Sequence, residues 1–220
     1  MHGILRAEGG WTESIADALR RAPRPIPYDE RLLPRMPDGT VRRRDPPTGR
    51  GVGEPRRAAT LLALYPDDGG ELVIPLTVRR HDLRAHAGEV SLPGGALDDE
   101  DADHAGAALR EAWEEIGLDP GLVRVAGTLD DVWIPVSNYR LRPVVGTVDR
   151  RPTLVPHDAE VASIVELPLA VLFDPERITS EEFRGASWIV RTGAYRHGDI
   201  VVWGATALTL GMLAHVLREA

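Results

Sequence analysis

The chain has 220 residues, 43% of them hydrophobic, no cysteine and a formal net charge of −8. The lack of cysteine excludes disulfides and thiolate metal sites, and the acidic charge argues against general nucleic-acid binding. No apolar run reaches the roughly 18 residues that a membrane helix needs, and the N-terminus lacks an apolar signal segment, so no membrane contact and a cytoplasmic location are expected.

Residues 1–55 are predicted to form a short helix and an arm, and residues 56–220 the main folded domain. Residues 12–21 place apolar side chains at helical spacing, with Thr12 as the predicted cap. Residues 22–55 are rich in Pro, Gly and Arg, which predicts an extended arm without lasting secondary structure. Residues 42–44 are three arginines; we interpret them as solvated, with contact to a substrate phosphate or a partner subunit as the alternative.

Turn residues and apolar runs predict strands on both sides of one long helix. Residues 58–65 and 71–79 are predicted as strands joined by a hairpin turn at 67–70. Further strands are predicted at 90–92, 123–129, 141–148, 164–168, 187–191 and 199–202, with a loop at 133–138, a short helix at 169–173 and a closing helix at 206–219. This order predicts an α/β fold in which a mixed β-sheet lies between helices.

The long helix follows a predicted glycine loop and an acidic run. Its apolar residues recur at helical spacing: Ala105, Ala108, Leu109, Ala112 and Ile116. Asp101 or Asp103 is expected to cap its start, and Gly117 is expected to end it in the left-handed conformation.

Three glutamates on this helix predict a metal site. Glu111 and Glu115 are four residues apart and therefore share a face, with Glu114 beside them. Carboxylates this close repel one another, and magnesium prefers such oxygen ligands. The alternative interpretation is a solvated acidic face on which Arg110 is the i,i+4 partner of Glu114.

Together, these residues resemble the Nudix box, Gly-x5-Glu-x7-Arg-Glu-U-x-Glu-Glu-x-Gly-U, where U is bulky and apolar. Its second half is matched by Arg110, Glu111, Ala112, Glu114, Glu115, Gly117 and Leu118. The first half differs from the box, because the spacing between Gly95 and Arg110 is one residue longer than the common spacing. An acidic run around residues 98–101 also replaces the box glutamate that usually supports the helix arginine. The resemblance implies the α/β/α Nudix sandwich.

The segment before the box resembles the signature of the coenzyme A pyrophosphatase branch, Leu-Leu-Thr-x-Arg-Ser-x3-Arg-x3-Gly-x3-Phe-Pro-Gly-Gly. Matching positions are Leu76, Thr77, Arg79, Arg84, Gly88, Pro93, Gly94 and Gly95. Pro75, Arg80 and Leu92 depart from it. The implied reaction is magnesium-dependent hydrolysis of coenzyme A or its derivatives to 3′,5′-ADP and 4′-phosphopantetheine.

The resemblance also implies a role for each residue of the box. Glu111 and Glu115 are the implied direct ligands of Mg²⁺, with Mn²⁺ as an alternative ion and the Gly94 carbonyl as a third oxygen. Glu114 is implied to be catalytic, either on the metal directly or through water, or as a partner of Arg110. Arg110 itself is grouped with the substrate-binding residues.

Residues outside the box complete the predicted site. Glu160 is the candidate general base, because Nudix enzymes often supply the base from a loop outside the box; an exposed loop carboxylate is the alternative. Arg79 and Arg84 are the candidate phosphate clamps, since a planar guanidinium suits phosphate; surface ion pairs are the alternative. Trp133 and Tyr139 are candidates to stack adenine or line a pantetheine groove, with packing roles as the alternative.

Other functions remain open at this level. The box binds only the pyrophosphate that many substrates share, so ADP-ribose or a dinucleoside polyphosphate is the alternative substrate. A non-catalytic Nudix domain that senses a nucleotide is the alternative from another class, although retention of three box glutamates argues against it. A small-molecule nucleotide is thus the expected partner, and a homodimer is an open alternative to a monomer.

Overall fold

The longest described strand is buried on both of its faces, which shows that the sheet lies between two layers. In β1 (Arg56–Pro66), Leu61 and Ala63 belong to one apolar cluster, whereas Leu62 and Leu64 belong to another. Successive side chains of a strand point to opposite faces, so both faces of β1 are covered. This computed structural model describes residues 5–36, 38–41, 53–80, 89–184 and 189–218.

Within the described residues, the main sheet contains eight strands. They are β1 (Arg56–Pro66), β2 (Leu72–Arg79), β3 (Val90–Ser91), β4 (Gly94–Ala96), β5 (Arg124–Thr128), β6 (Val132–Ile134), β7 (Tyr139–Thr147) and β8 (Val161–Pro168). The order across the sheet is β3-β2-β1-β7-β5, while β4 pairs with β1, β6 with β7 and β8 with β2. β1 and β7 run parallel and the other pairs antiparallel, which confirms the predicted mixed sheet of an α/β protein.

In the part of the chain that the structure describes, three α-helices cover the sheet. They are α1 (Trp11–Arg21), α2 (His104–Ile116) and α3 (Gly204–Arg218), and short 3-10 helices lie at Glu30–Leu32, Pro120–Leu122, Leu169–Phe173 and Pro175–Arg177. The apolar side of α2 packs on one face of β1, and α1 and α3 share the cluster on the other face. Among the described residues, no helix combines the length and apolar character that crossing a membrane requires.

A second sheet corrects the predicted last hairpin. It has three strands, β9 (Ile178–Arg184), β10 (Ile189–His197) and β11 (Ile200–Val202), in the order β11-β10-β9. The prediction placed the first hairpin strand at 187–191, of which 187–188 lie outside the described residues, and it missed β9. The sequence of β9 is polar, because it contains two adjacent glutamates and a final arginine, and it therefore did not indicate a strand. Its backbone nevertheless pairs with seven residues of β10.

The N-terminal segment corrects the predicted arm. A 3-10 helix interrupts it at Glu30–Leu32, and Ile26, Leu32 and Leu33 are buried in the core. The backbone N–H of Arg35 also donates to the carbonyl of Arg191 in β10 at 2.8 Å. Residues 42–52, with the predicted solvated arginines, lie outside the described residues.

Two local predictions were also wrong. Gly10, not Thr12, precedes the first turn of α1, and it is in the left-handed region with φ 82°. Thr12 lies inside the helix, where its hydroxyl donates to Glu13. The predicted loop at 133–138 is shorter, because Trp133 lies in β6 and pairs with Arg140 of β7.

Candidate active site

Helix α2 is positioned by small apolar residues and by a cap at each end. Ala108, Ala112 and Ile116 are fully buried beneath it, and the alanines let the helix approach the sheet closely. The Asp103 carboxylate accepts a hydrogen bond from the Gly106 N–H at 2.9 Å, so Asp103, rather than Asp101, is the cap. Gly117 ends the helix with φ 66° as predicted. The packing fixes the rotation of the helix and therefore the direction of its glutamates.

Glu111 and Glu115 lie together on a half-buried face of α2. Burial raises the pKa of Glu115 to about 8, and the negative charge of Glu111 is the second cause. A hydrogen bond from the Gly94 backbone N–H opposes this shift. The pKa of Glu111 is also raised, mainly by burial, and the hydrogen bond from Arg110 opposes this. Two desolvated carboxylates that repel each other form an arrangement that a cation would stabilise.

The two glycines before the helix lie in strand β4, not in the predicted loop. Gly94 and Gly95 pair with Thr60 and Ala59 of β1. A Cβ on Gly94 would lie 2.4 Å from the Ala59 carbonyl oxygen, and one on Gly95 would lie 2.4 Å from a carboxylate oxygen of Glu111. A side chain at Gly94 would clash with the backbone of β1, and one at Gly95 would displace the Glu111 carboxylate. The pair thus brings backbone against the carboxylates of α2, a role for Gly95 that the sequence pattern did not predict.

Arg110 connects the helix to the acidic run. Its guanidinium donates to Asp101 at 3.0 and 3.2 Å, to the Ala96 carbonyl at 3.1 Å and to Glu111 at 2.9 Å. The Asp101 side chain is only 7% exposed. Because it accepts two hydrogen bonds from Arg110, its carboxylate supports this arginine in place of the box glutamate. Glu114 is 56% exposed and 3.5 Å from Arg110. With several protein partners already on its guanidinium, Arg110 orients Glu111, and its contact with substrate stays a prediction.

Glu160 reaches the same site from a separate loop. The loop is tied to the end of α2, because the N–H groups of Val155 and His157 donate to the carbonyls of Ile116 and Glu115, each at 2.9 Å. These bonds place the loop beside the end of α2, and the negative charge of Glu160 is a minor cause of the raised pKa of Glu115, after burial and the charge of Glu111. Its side chain is 54% exposed and therefore accessible to water.

Arg79 lies beside Glu160 at the end of β2. One of its terminal nitrogens is 4.0 Å from a Glu160 oxygen. Its Nε is buried and, within the described part of the chain, has no hydrogen-bond partner. A buried donor without a partner is costly unless a ligand supplies the acceptor. The other predicted clamp, Arg84, lies outside the described residues.

The predicted aromatic residues each have a partner within the fold. The indole N–H of Trp133 donates to Asn138 at 3.1 Å, and Arg56 lies over the Tyr139 ring at 4.7 Å. Tyr139 pairs with Arg56 in β1, three residues before Ala59, the partner of Gly95. This separation is about 10 Å along the strand. Tyr139 is thus offset along the sheet from the glycine that contacts Glu111, and the contact of both rings with substrate stays a prediction.

The donor set fits a magnesium ion that keeps most of its waters. No group of three or more His, Asp or Glu side chains in the described ranges is arranged to hold a metal by itself. Magnesium is often bound by only one or two carboxylates, together with waters and substrate phosphates. Glu111 and Glu115 meet that requirement, because both are carboxylates and both lie on one half-buried face of α2.

Comparisons with known proteins point to one family. Residues 54–189 match the NUDIX domain. The chain is 38% identical over 174 residues to the mitochondrial Nudix hydrolase 15 of Arabidopsis thaliana, covering 76% of this chain but only 60% of that protein. It is 36% identical over 169 residues to the Nudix hydrolase NudL of Pectobacterium atrosepticum, covering 77% and 86%. A crystal structure of a MutT protein from Methanosarcina mazei aligns with a TM-score of 0.48 and 16% identity, over 76% of this chain and 98% of that one.

Proposed function

This chain belongs to the Nudix family, and we propose that it hydrolyses the pyrophosphate bond of a nucleoside diphosphate derivative with Mg²⁺. The substrate that we propose is coenzyme A or one of its derivatives, with 3′,5′-ADP and 4′-phosphopantetheine as products. The observation that carries the proposal is the convergence of Glu111, Glu115 and Glu160 beside Arg79.

Each residue of the site has a proposed task. Glu111 and Glu115 hold the metal ion, which, when bound, neutralises phosphate charge and lowers the pKa of an attacking water. The Gly94 N–H fixes the Glu115 carboxylate, and Arg110 fixes that of Glu111. Glu160 takes the proton of the attacking water, because it is exposed, close to Glu115 and not held within the helix.

Arg79 is the proposed phosphate ligand. Its buried Nε without a partner supplies a donor, and its terminal nitrogens stay near the base Glu160. A guanidinium offers several donors in a fixed plane, which suits phosphate oxygens. The branch resemblance and this donor together favour coenzyme A, whose 3′-phosphate adds a second anionic group to the pyrophosphate.

A substrate panel tests the reaction. The purified chain is incubated with Mg²⁺ and coenzyme A, ADP-ribose or a dinucleoside polyphosphate, and the products are separated by chromatography. We expect 3′,5′-ADP and 4′-phosphopantetheine at the highest kcat/KM. Faster hydrolysis of ADP-ribose would mean that ADP-ribose, and not coenzyme A, is the substrate, while the reaction class stays the same. Tight nucleotide binding without hydrolysis of any substrate would instead support a sensor and contradict the enzymatic proposal.

Measuring two substrates with both wild-type and variant enzyme tests whether Arg79 or Arg84 binds the 3′-phosphate. Coenzyme A and 3′-dephospho-coenzyme A offer the same pyrophosphate, so their difference isolates the 3′-phosphate. A charge-assisted hydrogen bond is worth roughly 1.5–3 kcal/mol, which predicts an about ten- to hundredfold preference for coenzyme A. Arg79→Ala or Arg84→Ala is expected to reduce this preference. Equal losses of kcat/KM on both substrates would mean that the arginine holds the pyrophosphate or the fold.

A further inference from the structure

Main-chain hydrogen bonds hold the beginning of the loop that carries Glu160. The N–H groups of Val155 and His157 donate to carbonyls at the end of α2, each at 2.9 Å, and one of these carbonyls belongs to Glu115. Neither bond reaches Glu160, which lies three residues after His157. A second attachment is therefore needed to fix the position of Glu160 relative to the proposed metal ligands.

Arg80, directly after β2, supplies this second attachment. Its guanidinium donates to the carbonyl of Asp158 at 2.5 Å, and its backbone N–H donates to the carbonyl of Glu160 at 3.1 Å. The branch signature has serine at this position. A serine side chain ends one carbon from the backbone, so it lacks the length and the several N–H donors of arginine. The attachment to Asp158 therefore depends on the arginine that this chain has instead.

A shift in strand register sets which residue lies opposite Arg80. The pairing of β2 with β8 is irregular near its end, so Arg79 lies opposite Val161 instead of Ala162. Arg80 then lies opposite Glu160, in agreement with the main-chain bond between them. Bulges of this kind are common next to active sites, where they redirect a side chain. The extra residue in β8 thus brings Glu160 to the point where Arg80 can hold it.

We propose that Arg80 is a positioning residue for the general base Glu160, an inference that rests on the proposed function. Arg80 acts through the loop and contacts neither the metal ion nor the phosphates. Its side chain and main chain hold the end of the loop, while α2 holds the beginning. The carboxylate of Glu160 is thereby fixed between the helix that carries the metal ligands and the end of the strand that carries Arg79.

A double-mutant cycle tests whether Arg80 acts through Glu160. Turnover of coenzyme A with Mg²⁺ is measured for wild type, Arg80→Ala, Glu160→Gln and the double variant. We expect Arg80→Ala to lower kcat about ten- to hundredfold at an unchanged KM, because a catalytic group displaced by about 1 Å can lose about a hundredfold in rate. In the Glu160→Gln background, Arg80→Ala should have little further effect, since the base is already absent. Arg80→Lys keeps a long side chain with N–H donors and should retain most of kcat.

Arg6→Ala is the matched control. The guanidinium of Arg6 also donates to a loop carbonyl at 2.5 Å, that of Gly69, but this turn lies at the opposite end of β2. Arg6→Ala should therefore keep the kcat of the wild type. Independent losses from Arg80→Ala and Glu160→Gln would overturn the inference. A raised KM of Arg80→Ala with unchanged kcat would also overturn it and would make Arg80 a substrate ligand.

Amide hydrogen exchange of residues 155–161 tests the attachment without reference to activity. We expect exchange there to be about tenfold faster in Arg80→Ala than in wild type, and unchanged in Arg6→Ala, because one hydrogen bond that holds the loop closed is lost. Equal exchange in Arg80→Ala and wild type would overturn the inference alone, whereas wild-type hydrolysis of coenzyme A would still support the proposed function. No hydrolysis of any nucleotide pyrophosphate by the wild type would overturn both.

Discussion

At the scale of single residues, the half-buried carboxylate of Glu115 is predicted to be essential for activity but not for folding. Glu115→Gln keeps the shape and an acceptor for the Gly94 N–H, and it removes the repulsion with Glu111. Loss of one metal ligand is expected to lower kcat on the order of a thousandfold, with an unchanged or higher melting temperature. Glu176→Gln, an exposed carboxylate elsewhere, is the control. Near-wild-type turnover of Glu115→Gln would remove Glu115 from the metal site.

Glu160 is predicted to act on the attacking water rather than on the metal. Glu160→Gln should therefore lower kcat while the Mg²⁺ concentration for half-maximal activity stays the same. The measurement is a magnesium titration of turnover for wild type and variant. A matching loss of magnesium affinity would place Glu160 among the metal ligands, and an unchanged kcat would exclude it from the site.

Gly95 is predicted to be required for the position of Glu111. In Gly95→Ala, the new Cβ would lie 2.4 Å from a carboxylate oxygen, so Glu111 must move. Displacement of a catalytic group by about 1 Å can cost about a hundredfold in rate. The control is Gly106→Ala in α2, whose nearest atom is 3.8 Å away; this variant should be active and about 0.5–1 kcal/mol more stable. Full activity of Gly95→Ala would show that the close contact does not fix Glu111.

At the scale of elements, the pair of Asp101 and Arg110 is predicted to hold α2 to the preceding loop. Asp101→Asn weakens a largely buried charged hydrogen bond, which should cost roughly 1–3 kcal/mol of stability at neutral pH. Asp98→Asn is the control, because that carboxylate is 68% exposed and 3.6 Å from Arg110. The measurement is denaturant unfolding together with kcat, and equal stability of the two variants would contradict the prediction.

The pair of Asp101 and Arg110 also makes the stability of the protein depend on pH. Hydrogen bonds from Arg110 lower the pKa of Asp101 below its ordinary value. A lowered folded-state pKa contributes stability above the unfolded pKa of about 3.9, and this contribution is lost as pH falls through the folded value. The stability gap between wild type and Asp101→Asn should therefore narrow in acid. A constant gap from neutral pH to pH values below both pKa values would mean that another charge dominates.

Sequence patterns predicted the elements whose local and tertiary signals agree. Helix α2 has an apolar period, a cap and a glycine stop, so its bounds were nearly correct, and the carboxylates that it presents were found with it. β4 was missed, because Gly-Gly has low strand propensity and only the close approach to β1 and Glu111 explains it. The support of Arg110 by Asp101 was left open, since four neighbouring acidic residues are equivalent until the loop is folded.

At the scale of the whole molecule, the N-terminal segment is predicted to contribute to global stability. Proline and arginine make residues 22–41 look solvated, yet Leu32 is fully buried and packs in the cluster that holds α1 and α3. Leu32→Ala should cost about 2–5 kcal/mol in unfolding free energy. Leu122→Ala, where the side chain is 41% exposed, is the control and should cost much less. A small loss of unfolding free energy in Leu32→Ala would indicate that this segment is a detachable arm.

The shared cluster of the first and last helices has a consequence for synthesis in the cell. Trp11, Ile15 and Leu19 of α1 lie in the same cluster as Leu210, Leu213 and Leu217 of α3. A nascent chain leaves the ribosome N-terminus first, so the apolar face of α1 has no partner helix until Gly204–Arg218 has also emerged. Contacts between distant parts of a sequence also form slowly. During translation this face is therefore exposed to chaperones, and the layer behind the sheet closes only after α3 has emerged.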